Sequence, residues 1–406
     1  MRVLHALRES GALSRGEIAR RVGLSRTTLS EITSGLLASE AIVIFDTDAA
    51  GRSGSGRPAE RLALDPASGQ FLGVDFNHRR VNVAVADASH DIVASGSSQY
   101  GDDLDWPQRV QVAFELIDRL AAETGVHYGA LQGVAVGVPG PYSRSMAPAT
   151  ARANGWVRYD PSNAVDAGFA RRYRCPVVID NNSRFAALAE AIDTNGERVT
   201  DLLYVRLSDG VGGGLVVGGR LVTGSTSIGG EFGHVTVKPN GAACRCGKRG
   251  CLETVASVPA ILAECRNRGV QVHNLEELKA LVAAADPIVD EVMREAGTAL
   301  GNVLGAAAMI LNPSQIVIAG EIITIAPAIL QQVTAVITYE VHSLAEAAPV
   351  IRAATHSSGD GAFGAVAALF HRSPLIKDYQ DGFIMAHQLS DPIESTVTPT
   401  EEAVGT

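Results

Sequence analysis

A histidine and three cysteines lie close together in the chain and have the side chains that bind a transition metal. They are His234, Cys244, Cys246 and Cys251, in the segment GEFGHVTVKPNGAACRCGKRGCLE. Three thiolates and one imidazole form the tetrahedral ligand set that zinc prefers. Because protein groups fill all four positions, we expect one structural zinc ion per chain rather than a catalytic one. The alternatives are a cluster of reduced thiols and an accidental grouping.

A second group of polar residues follows an apolar run. The segment IDNNSRFAALAE, residues 179–190, brings Asp180, Asn181 and Asn182 to the start of an alanine-rich helix. In an α/β protein this is where a small polar ligand binds. Asn182 has the best position to take a proton, but an amide is not a base at neutral pH. The stretch therefore indicates binding without chemistry, and we expect Asp180 to cap the helix or to orient a neighbour.

Composition and charge limit the class of protein. The chain has 406 residues, of which 46% are hydrophobic and 19% charged, as in a globular protein of two or three α/β domains. It has no apolar run of membrane-spanning length and no signal peptide, so we expect a cytoplasmic protein without a membrane partner. The five cysteines of such a protein favour metal binding over disulfides. The net charge is −10, yet residues 1–45 contain six arginines and four glutamates, which permits a DNA-binding head.

The N-terminal segment has the pattern of a winged helix-turn-helix. Ser14 and Glu17 have the spacing of a reciprocal helix cap, and a second helix, RTTLSEITSGLLASE, follows a short turn. The strand AIVIF and the loop at residues 51–58 complete the pattern. We expect the second helix to enter the major groove and the loop to reach the minor groove or the backbone. The expected DNA contacts are Ser25, Arg26, Thr27, Thr28, Ser30, Arg52 and Arg57. The alternative is a protein-interaction module with a flexible linker.

The rest of the chain reads as two similar α/β halves. Residues 71–100 contain three successive strand patterns, and a helix near 107–124 and two further strands follow. LLYVRL and GGLVVGGRLV begin a similar series. The expected units are a DNA-binding domain at 1–66, a first lobe at 67–187 completed by a helix near 361–371, a second lobe with the metal loop at 188–360, and a weakly ordered acidic tail at 372–406.

Together these features resemble the ROK family, which contains repressors, uncharacterised reading frames and sugar kinases. The most specific element is the signature E-x-G-H…C-x-C-G-x-x-G-C-L-E, formed here by Glu231, His234, Cys244, Cys246, Gly247, Gly250, Cys251 and Glu253. The resemblance extends from the winged helix to about residue 371. It implies two actin-like, ribonuclease H-like α/β lobes with a sugar cleft between them, and in the kinases ATP as well.

The resemblance also implies which residues contact sugar hydroxyls. They are Glu231, His234 and Glu253 of the signature and Asn181 of a D/E-N-D motif, with Asn182 at the last position of that motif. Carboxylates and carboxamides bind vicinal hydroxyls in pairs. The zinc ion would fix the loop that carries the two glutamates. The alternative is that the glutamates cap helices or face solvent.

Four places depart from the family's kinases. Asp75-Phe76-Asn77-His78-Arg79 lacks a phosphate-loop glycine, Asp209 replaces a threonine, Ala319-Gly320-Glu321 replaces a glycine pair, and Asn182 replaces the catalytic aspartate. Losing a positioned base alone lowers a rate by about 10² to 10⁴, and a carboxylate beside a polyphosphate repels it. We therefore expect neither ATP binding nor enzymatic activity.

These expectations combine into a sugar-responsive transcriptional regulator, with release of repression by the ligand as the expected polarity. Helix-turn-helix geometry implies a homodimer that reads an inverted repeat in double-stranded DNA, and pairing of two dimers is compatible with it. The alternative functions are an ATP-dependent sugar kinase with an accessory DNA-binding head and a structural interaction module. The identity of the sugar depends on the cleft, including the segment around Asn154 and Trp156.

Overall fold

The structure is a computed structural model, and it describes most of the chain up to Phe370. The described residues are 3, 6–7, 12–38, 42–47, 60–65, 70–87, 92–101, 103–124, 131–140, 162–192, 199–341, 348–355 and 360–370. The segment around Asn154 and Trp156 and the tail at 372–406 lie outside these ranges, so the expectations for them stay predictions.

The N-terminal part contains two helices and a small antiparallel sheet. Its elements are β1 (Leu13–Ser14), α1 (Arg15–Val22), α2 (Arg26–Ala38), β2 (Ile42–Thr47) and β3 (Glu60–Leu64), with the strand order β1-β3-β2. The Ser14 hydroxyl accepts a hydrogen bond from the Glu17 amide, and the Glu17 carboxylate accepts one from the Ser14 amide at 2.8 Å. This confirms the predicted reciprocal cap. Ile18 and Leu29 pack the two helices onto the sheet and are fully buried.

The first large sheet has five strands. They are β4 (Gln70–Phe76), β5 (Arg80–Ala86), β6 (Ile92–Gln99), β7 (Leu131–Val138) and β8 (Val177–Asn181), in the order β6-β5-β4-β7-β8. β4, β5 and β6 form an antiparallel meander, and β7 and β8 continue the sheet in parallel. The helices of this half are α3 (Trp106–Thr124), α4 (Ala167–Tyr173) and α5 (Asn182–Ala191). Because helices cover both faces of the central strands, β5 and β7 are nearly continuous apolar runs, whereas the edge strand β6 is polar and largely exposed.

The second large sheet repeats this arrangement. Its strands are β9 (Leu202–Leu207), β10 (Val211–Val217), β11 (Arg220–Leu221), β12 (Gln315–Ala319) and β13 (Val350–Ala353), in the order β11-β10-β9-β12-β13. Again three antiparallel strands precede two parallel ones. Its helices are α6 (Glu253–Ala256), α7 (Val258–Asn267), α8 (Leu275–Ala283), α9 (Pro287–Leu311), α10 (Glu321–Ile325) and α11 (Pro327–Val341). The similarity of the two halves predicted from the strand patterns is present in the topology.

One buried layer joins the two sheets. α5 and α12 (Asp360–Phe370) pack side by side, and their buried cluster includes Phe71 of the first sheet and Tyr204 of the second. A Cβ at Gly364 would lie 1.7 Å from the carbonyl oxygen of Phe185, so the two helices require glycine at their closest approach. α5 is therefore firmly held, and so are the polar residues at its first turn.

α9 and α11 also pack closely on the outer side of the second sheet. Gly297, Gly301 and Gly305 recur every fourth residue along α9, and a Cβ at Gly301 would lie 2.7 Å from the Cβ of Val336. Residues four apart share one face of a helix, so these glycines let the two backbones approach. None of the described helices has the length and apolar content needed to cross a membrane.

Candidate functional site

A cleft of about 740 Å³ lies between the two large sheets, at the carboxyl ends of their parallel strands. This is where α/β folds bind ligands. The five residues for which the sequence predicts sugar contacts all line it. They are Asn181, Asn182, Glu231, His234 and Glu253. The structure thus brings together residues up to 72 positions apart in the chain (253 − 181), and their contact with a sugar stays a prediction.

Asn181 begins α5 and is fixed by two partners. Its side-chain oxygen accepts a hydrogen bond from the Ser183 amide at 2.7 Å, and its Nδ2 donates to the carbonyl of Gly140 at 2.8 Å. The expectation that Asp180 caps the helix is wrong, because Asn181 has that position. Asp180 instead accepts from the Asn181 amide and pairs with Arg184 at 3.3 Å, so it orients its neighbours.

Asn182 is buried, and its side-chain amide donates a hydrogen bond to the end of β4 in the first sheet. Its Nδ2 donates to the carbonyl of Phe76 at 3.0 Å and lies 3.4 Å from Oδ1 of Asn77. Both partners accept hydrogen bonds, and a carboxylate at this position would supply no donor for them. The local structure is therefore built around an amide rather than a base.

The two glutamates of the signature segment approach the cleft from the second half. Glu253 Oε2 lies 2.8 Å from Nη2 of Arg245 and accepts from the Val211 amide at 3.2 Å. Glu231 accepts from Nδ2 of Asn181 at 3.5 Å, and burial raises its pKa to about 7 while Arg184 opposes the rise. Two positioned carboxyl groups beside an asparagine amide form an acceptor and donor set suited to hydroxyl groups.

The metal-ligand candidates also come together. The ligand atoms of His234, Cys244, Cys246 and Cys251 all lie within 4.8 Å of one another, so this group could hold a metal ion. Cys244 Sγ is 3.6 Å from Nδ1 of His234, and Cys246 Sγ is 3.6 Å from Cys251 Sγ. Tetrahedral zinc with ordinary bond lengths separates its ligands by about 3.3 to 3.8 Å. The spacing therefore fits the ion.

The loop chemistry agrees with this spacing. Burial raises the pKa of Cys244 to about 12, so a cation at the centre is what would keep its thiolate. Gly250 has φ of 67°, and a Cβ there would lie 1.6 Å from the Lys238 carbonyl oxygen. His234 presents Nδ1 to Cys244 and has Nε2 4.0 Å from Glu231. One imidazole can thus serve the metal and the cleft through different nitrogens.

The four departures from the kinase pattern line a second part of the same cleft. The residues that line it there are Asn77, His78, Arg79, Asn182, Asp209, Ala319, Gly320 and Glu321. Asp75 lies just behind them, fully buried, and its Oδ2 accepts from the side-chain amides of Asn77 at 2.8 Å and Asn82 at 3.3 Å. Burial raises the pKa of Asp75. The polar groups on this side bond mainly to one another.

Two ion pairs hold α5, the first fully buried and the second with a half-buried arginine, and sequence reasoning missed both. Arg184 is 1% exposed, pairs with Asp180 and donates to the Ser227 carbonyl at 2.9 Å. At the other end of the helix, Glu190 pairs with Arg352 of β13 at 2.6 Å. The spacing of four between Asp180 and Arg184 was a visible signal, but 162 residues separate Glu190 from Arg352.

The residues predicted to contact DNA divide into two groups. The five at the start of α2 are all exposed, and the Ser25 hydroxyl accepts from the Thr28 amide at 3.2 Å as a helix cap does. Those five are Ser25, Arg26, Thr27, Thr28 and Ser30. Arg52 and Arg57 lie outside the described residues, so their role stays a prediction.

Comparison with known proteins gives the family. The sequence model of the ROK family matches residues 71–373. The chain belongs to the ROK family. Among ROK relatives, the N-acetylglucosamine repressor of Escherichia coli O157:H7 is 27% identical over 410 aligned residues, which cover 96% of this chain and 95% of the relative. A glucokinase of Halalkalibacterium halodurans is 37% identical over 169 residues. The aligned part covers 37% of this chain and 50% of the glucokinase.

A solved structure agrees with the family. The crystal structure of a ROK family transcriptional regulator, a homolog of the E. coli MLC protein, has a TM-score of 0.67 and 22% identity, and the match covers 90% of this chain and 93% of that one. This likeness shows the fold, which is the expected α/β fold with two actin-like lobes.

Proposed function

We propose that this chain is a sugar-responsive, DNA-binding transcriptional repressor that works in the cytoplasm. The observation that carries the proposal is the extent of the two matches. The relative named as a repressor aligns with nearly the whole chain, including the N-terminal helices and small sheet. The relative named as a glucokinase aligns with little more than a third of it. A function that uses the N-terminal part is therefore favoured.

The N-terminal part would bind DNA as a winged helix-turn-helix, within the proposed unit 1–66. Its exposed first turn of α2 offers an arginine and four hydroxyl groups, which bind phosphates and base edges in the major groove. Arg52 and Arg57 would add contacts from the loop. A homodimer would place two such helices on an inverted repeat, and pairing of two dimers would bridge two operators.

The cleft would bind the sugar between the proposed lobes 67–187 and 188–360. Glu231, Glu253, His234 and Asn181 would bind its hydroxyl groups, with Asn182 beside them. A ligand that contacts both lobes would bind the closed arrangement more tightly than the open one. It would change the affinity for DNA only to the extent that its own affinities for the two arrangements differ. Release of the operator would follow if the closed form separates the paired DNA heads.

Zinc would be a structural ion in this protein. His234, Cys244, Cys246 and Cys251 would hold it with no open position for a substrate. Since Glu231 and Glu253 flank these ligands in the chain, the ion would fix both carboxyl groups toward the cleft. Its function would be preorganisation of the sugar site.

A sugar kinase is the second candidate, and the glucokinase relative is the observation in its favour. Against it stand the amide at Asn182 and the exposed carboxylate at Asp209. Both line the cleft in which ATP would have to bind. We infer that ATP is not a cofactor.

Two assays test the proposal. A labelled DNA fragment from upstream of the chain's own gene is titrated with protein by fluorescence anisotropy, with and without each of a panel of sugars. We expect salt-dependent, sequence-specific binding that one sugar weakens. Arg26→Ala should weaken it, whereas Arg171→Ala on the exposed side of α4 should not. Equal affinity for a scrambled fragment would refute the repressor, and hexose-dependent ATP turnover at ordinary kinase rates would establish the enzyme.

A further inference from the structure

A glycine-rich stretch joins β9 to β10 and forms the first half of β10. Residues 208–214 read SDGVGGG, and β10 begins at Val211. A left-handed backbone is a common reason for glycine in a turn, but none of the four glycines of this stretch is among the residues with positive φ. An alanine would fit the backbone at each of them. The reason for glycine therefore lies in what surrounds the stretch.

One face of the stretch carries helix α5. A Cβ at Gly212 would lie 2.1 Å from Oγ of Ser183, and a Cβ at Gly214 would lie 2.5 Å from Cβ of Ala187. Ser183 and Ala187 are four residues apart on α5 and share one side of it, and the helix begins directly after Asn181. The two glycines thus let the helix that follows Asn181 lie directly on the backbone of β10.

The other face carries the segment that contains Glu231. Successive residues of a strand point to opposite faces, and a Cβ at Gly213 would lie 2.4 Å from the carbonyl oxygen of Gly230 and 2.5 Å from the ring of Phe232. Glu231 lies between these two residues, and the Phe232 amide donates to the Gly230 carbonyl at 2.8 Å. The tight turn around Glu231 is therefore seated on β10 as well.

The start of the stretch meets Glu253. The Val211 amide donates to Oε2 of Glu253 at 3.2 Å, and a Cβ at Gly210 would lie 2.7 Å from the same oxygen. It would also lie 2.5 Å from Nη2 of Arg245, the residue that pairs with Glu253. A side chain at Gly210 would take the space of this pair. Three residues predicted to bind sugar, from three separate segments of the chain, thus rest on one glycine-rich stretch.

We propose that the glycines of residues 210–214 position the sugar site, because they set how closely its three supporting segments approach one another. The inference rests on the proposed function and gives the stretch a role in ligand binding that needs no phosphate. The distance that it controls most directly is the 3.5 Å between Nδ2 of Asn181 and Oε1 of Glu231, since their segments lie on opposite faces of one strand. Protein interiors contain few voids, so a methyl group added to either face moves one of the two segments.

The first variant is Gly212→Ala in the full-length protein. Its Cβ would press on Ser183 and displace the first turn of α5, which moves Asn181 relative to Glu231. We expect sugar to bind about 10-fold or more weakly, since a displacement of about 1 Å in a preorganised site costs up to about 10²-fold. Calorimetric titration with glucose, mannose, xylose and N-acetylglucosamine measures the affinity, and the sugar that binds the wild type most tightly is used for every variant.

Two further measurements separate positioning from damage to the fold. Bound zinc and the affinity of the sugar-free protein for its upstream DNA should stay as in the wild type. The reason is that the atoms that the new methyl group of Gly212→Ala would meet within 4 Å belong to Ser183, among the described residues.

A second substitution tests the contact itself. Ser183→Ala removes the oxygen at 2.1 Å and leaves the Cβ of that residue 3.1 Å from the new methyl group, so Gly212→Ala combined with Ser183→Ala should recover most of the lost affinity. The backbone amide of Ser183, which holds Asn181, is unchanged by this substitution. Ser183→Ala alone is the reference for the combined variant.

A matched control and a milder variant complete the set. Gly35→Ala should bind sugar as the wild type does, because a Cβ at this position of α2 would meet no atom of the described residues within 4 Å. If Gly212→Ala does not fold, Gly210→Ala takes its place, because its Cβ would meet the ends of two flexible side chains. The expected loss of sugar affinity is then about 2- to 5-fold, the size for a disturbed, partly exposed ion pair.

The outcomes distinguish this inference from the proposed function. Wild-type sugar affinity in Gly212→Ala, or in Gly210→Ala where that variant takes its place, would overturn the inference and leave the repressor standing. A loss that Ser183→Ala does not reverse would also overturn it, and so would parallel losses of sugar, zinc and DNA binding. If none of the four sugars binds the wild type, the proposed sugar response fails, and the inference fails with it.

Discussion

The two sides of the cleft differ in what their polar groups are bonded to. One side of the cleft carries Asn181 and Glu253 and lies next to the candidate metal ligands; we call it the metal side. There, hydrogen bonds and an ion pair from behind fix the polar side chains in position. Arg245 and the Val211 amide hold Glu253, and Ser183 and Gly140 hold Asn181. These side chains nevertheless line the cleft. A site of this kind has its geometry set before the ligand arrives, which lowers the entropic cost of binding.

In the second part of the cleft, the polar groups around Asp75 bond to one another, although Oδ1 of Asp75 has no hydrogen-bond partner among the described residues. The Asn182 amide donates to the Phe76 carbonyl, and Asp75 accepts from Asn77 and Asn82. The hairpins retain the shape of a ligand-binding cleft, but few of these groups are left to act on a ligand. The comparison teaches that, within one cleft, some polar groups are held in position at the surface while others are taken up by hydrogen bonds within the fold.

The largest expected effect comes from removing a metal ligand. Cys251→Ser should reduce bound zinc from about one ion per chain to about none, because three ligands rarely retain a structural ion. Glu231 and Glu253 then lose their support, and we expect sugar binding to disappear with the metal. Metal analysis by mass spectrometry and calorimetric sugar titration measure the two effects.

The matched control for this variant is Cys175→Ser, which changes a half-buried cysteine outside the cluster. It should keep both zinc and sugar binding. If Cys251→Ser lost the metal but bound sugar normally, the metal side would not be preorganised by its ion, and the contrast between the two sides would be smaller than we infer.

The next effect concerns the anchoring of α5. Arg352→Met leaves the Glu190 carboxylate, whose side chain is 1% exposed, without its charged partner. Because the Arg352 side chain is 28% exposed and the Thr355 amide still donates to Glu190 at 2.8 Å, the loss of unfolding free energy should fall below the about 3 to 5 kcal/mol of a fully buried pair. Urea denaturation measures this loss. The exposed pair Arg294–Asp290, with side chains 51% and 48% exposed, is the control, and Arg294→Met should cost about 0 to 1 kcal/mol.

Local features were predicted from the sequence and long-range ones were not. The helix cap of Ser14 and Glu17 and the grouping of the four candidate metal ligands lie within short segments, so their spacing was sufficient. Glu190 and Arg352 meet only through the fold, and no pattern in either segment indicates the other. Glycine recurs every fourth residue along α9, and this pattern was visible in the sequence. Its role follows only from the structure, in which α11 packs against these glycines.

The cleft itself was predicted in part. The family signature indicated the residues of the metal side, and the departures from it indicated a change in the second part of the cleft. The partners of those departures could not be read from the sequence, because the Asn182 amide faces a backbone carbonyl 106 residues away. Arg206 also lines the cleft, and it was missed because an isolated arginine inside an apolar strand has no local signature.

A smaller effect follows from changing the amide in the second part of the cleft. Asn182→Asp should not create an ATP-dependent sugar kinase, because the new carboxylate would face the carbonyl of Phe76 and Oδ1 of Asn77. The lost hydrogen bond should lower the unfolding free energy by about 1 to 3 kcal/mol. A coupled ATP assay and urea denaturation test both statements. Asn302→Asp, at an exposed position of α9, should change neither. Efficient turnover would mean that this side still supports chemistry.

The smallest effect is a pH dependence at Asp75. Burial raises its pKa above the ordinary value of 3.8, so the folded protein holds this proton more tightly than the unfolded chain. The stability that the group contributes is therefore complete below about pH 3.8 and is lost as the pH rises through the folded pKa. Asp75→Asn has no such loss, and its melting temperature relative to wild type should rise as the pH increases above the ordinary value of 3.8. The exposed Asp209→Asn should show no comparable trend. A lower melting temperature for Asp75→Asn at high pH would mean that the attraction of the Arg206 charge, which opposes the rise in pKa, outweighs the effect of burial.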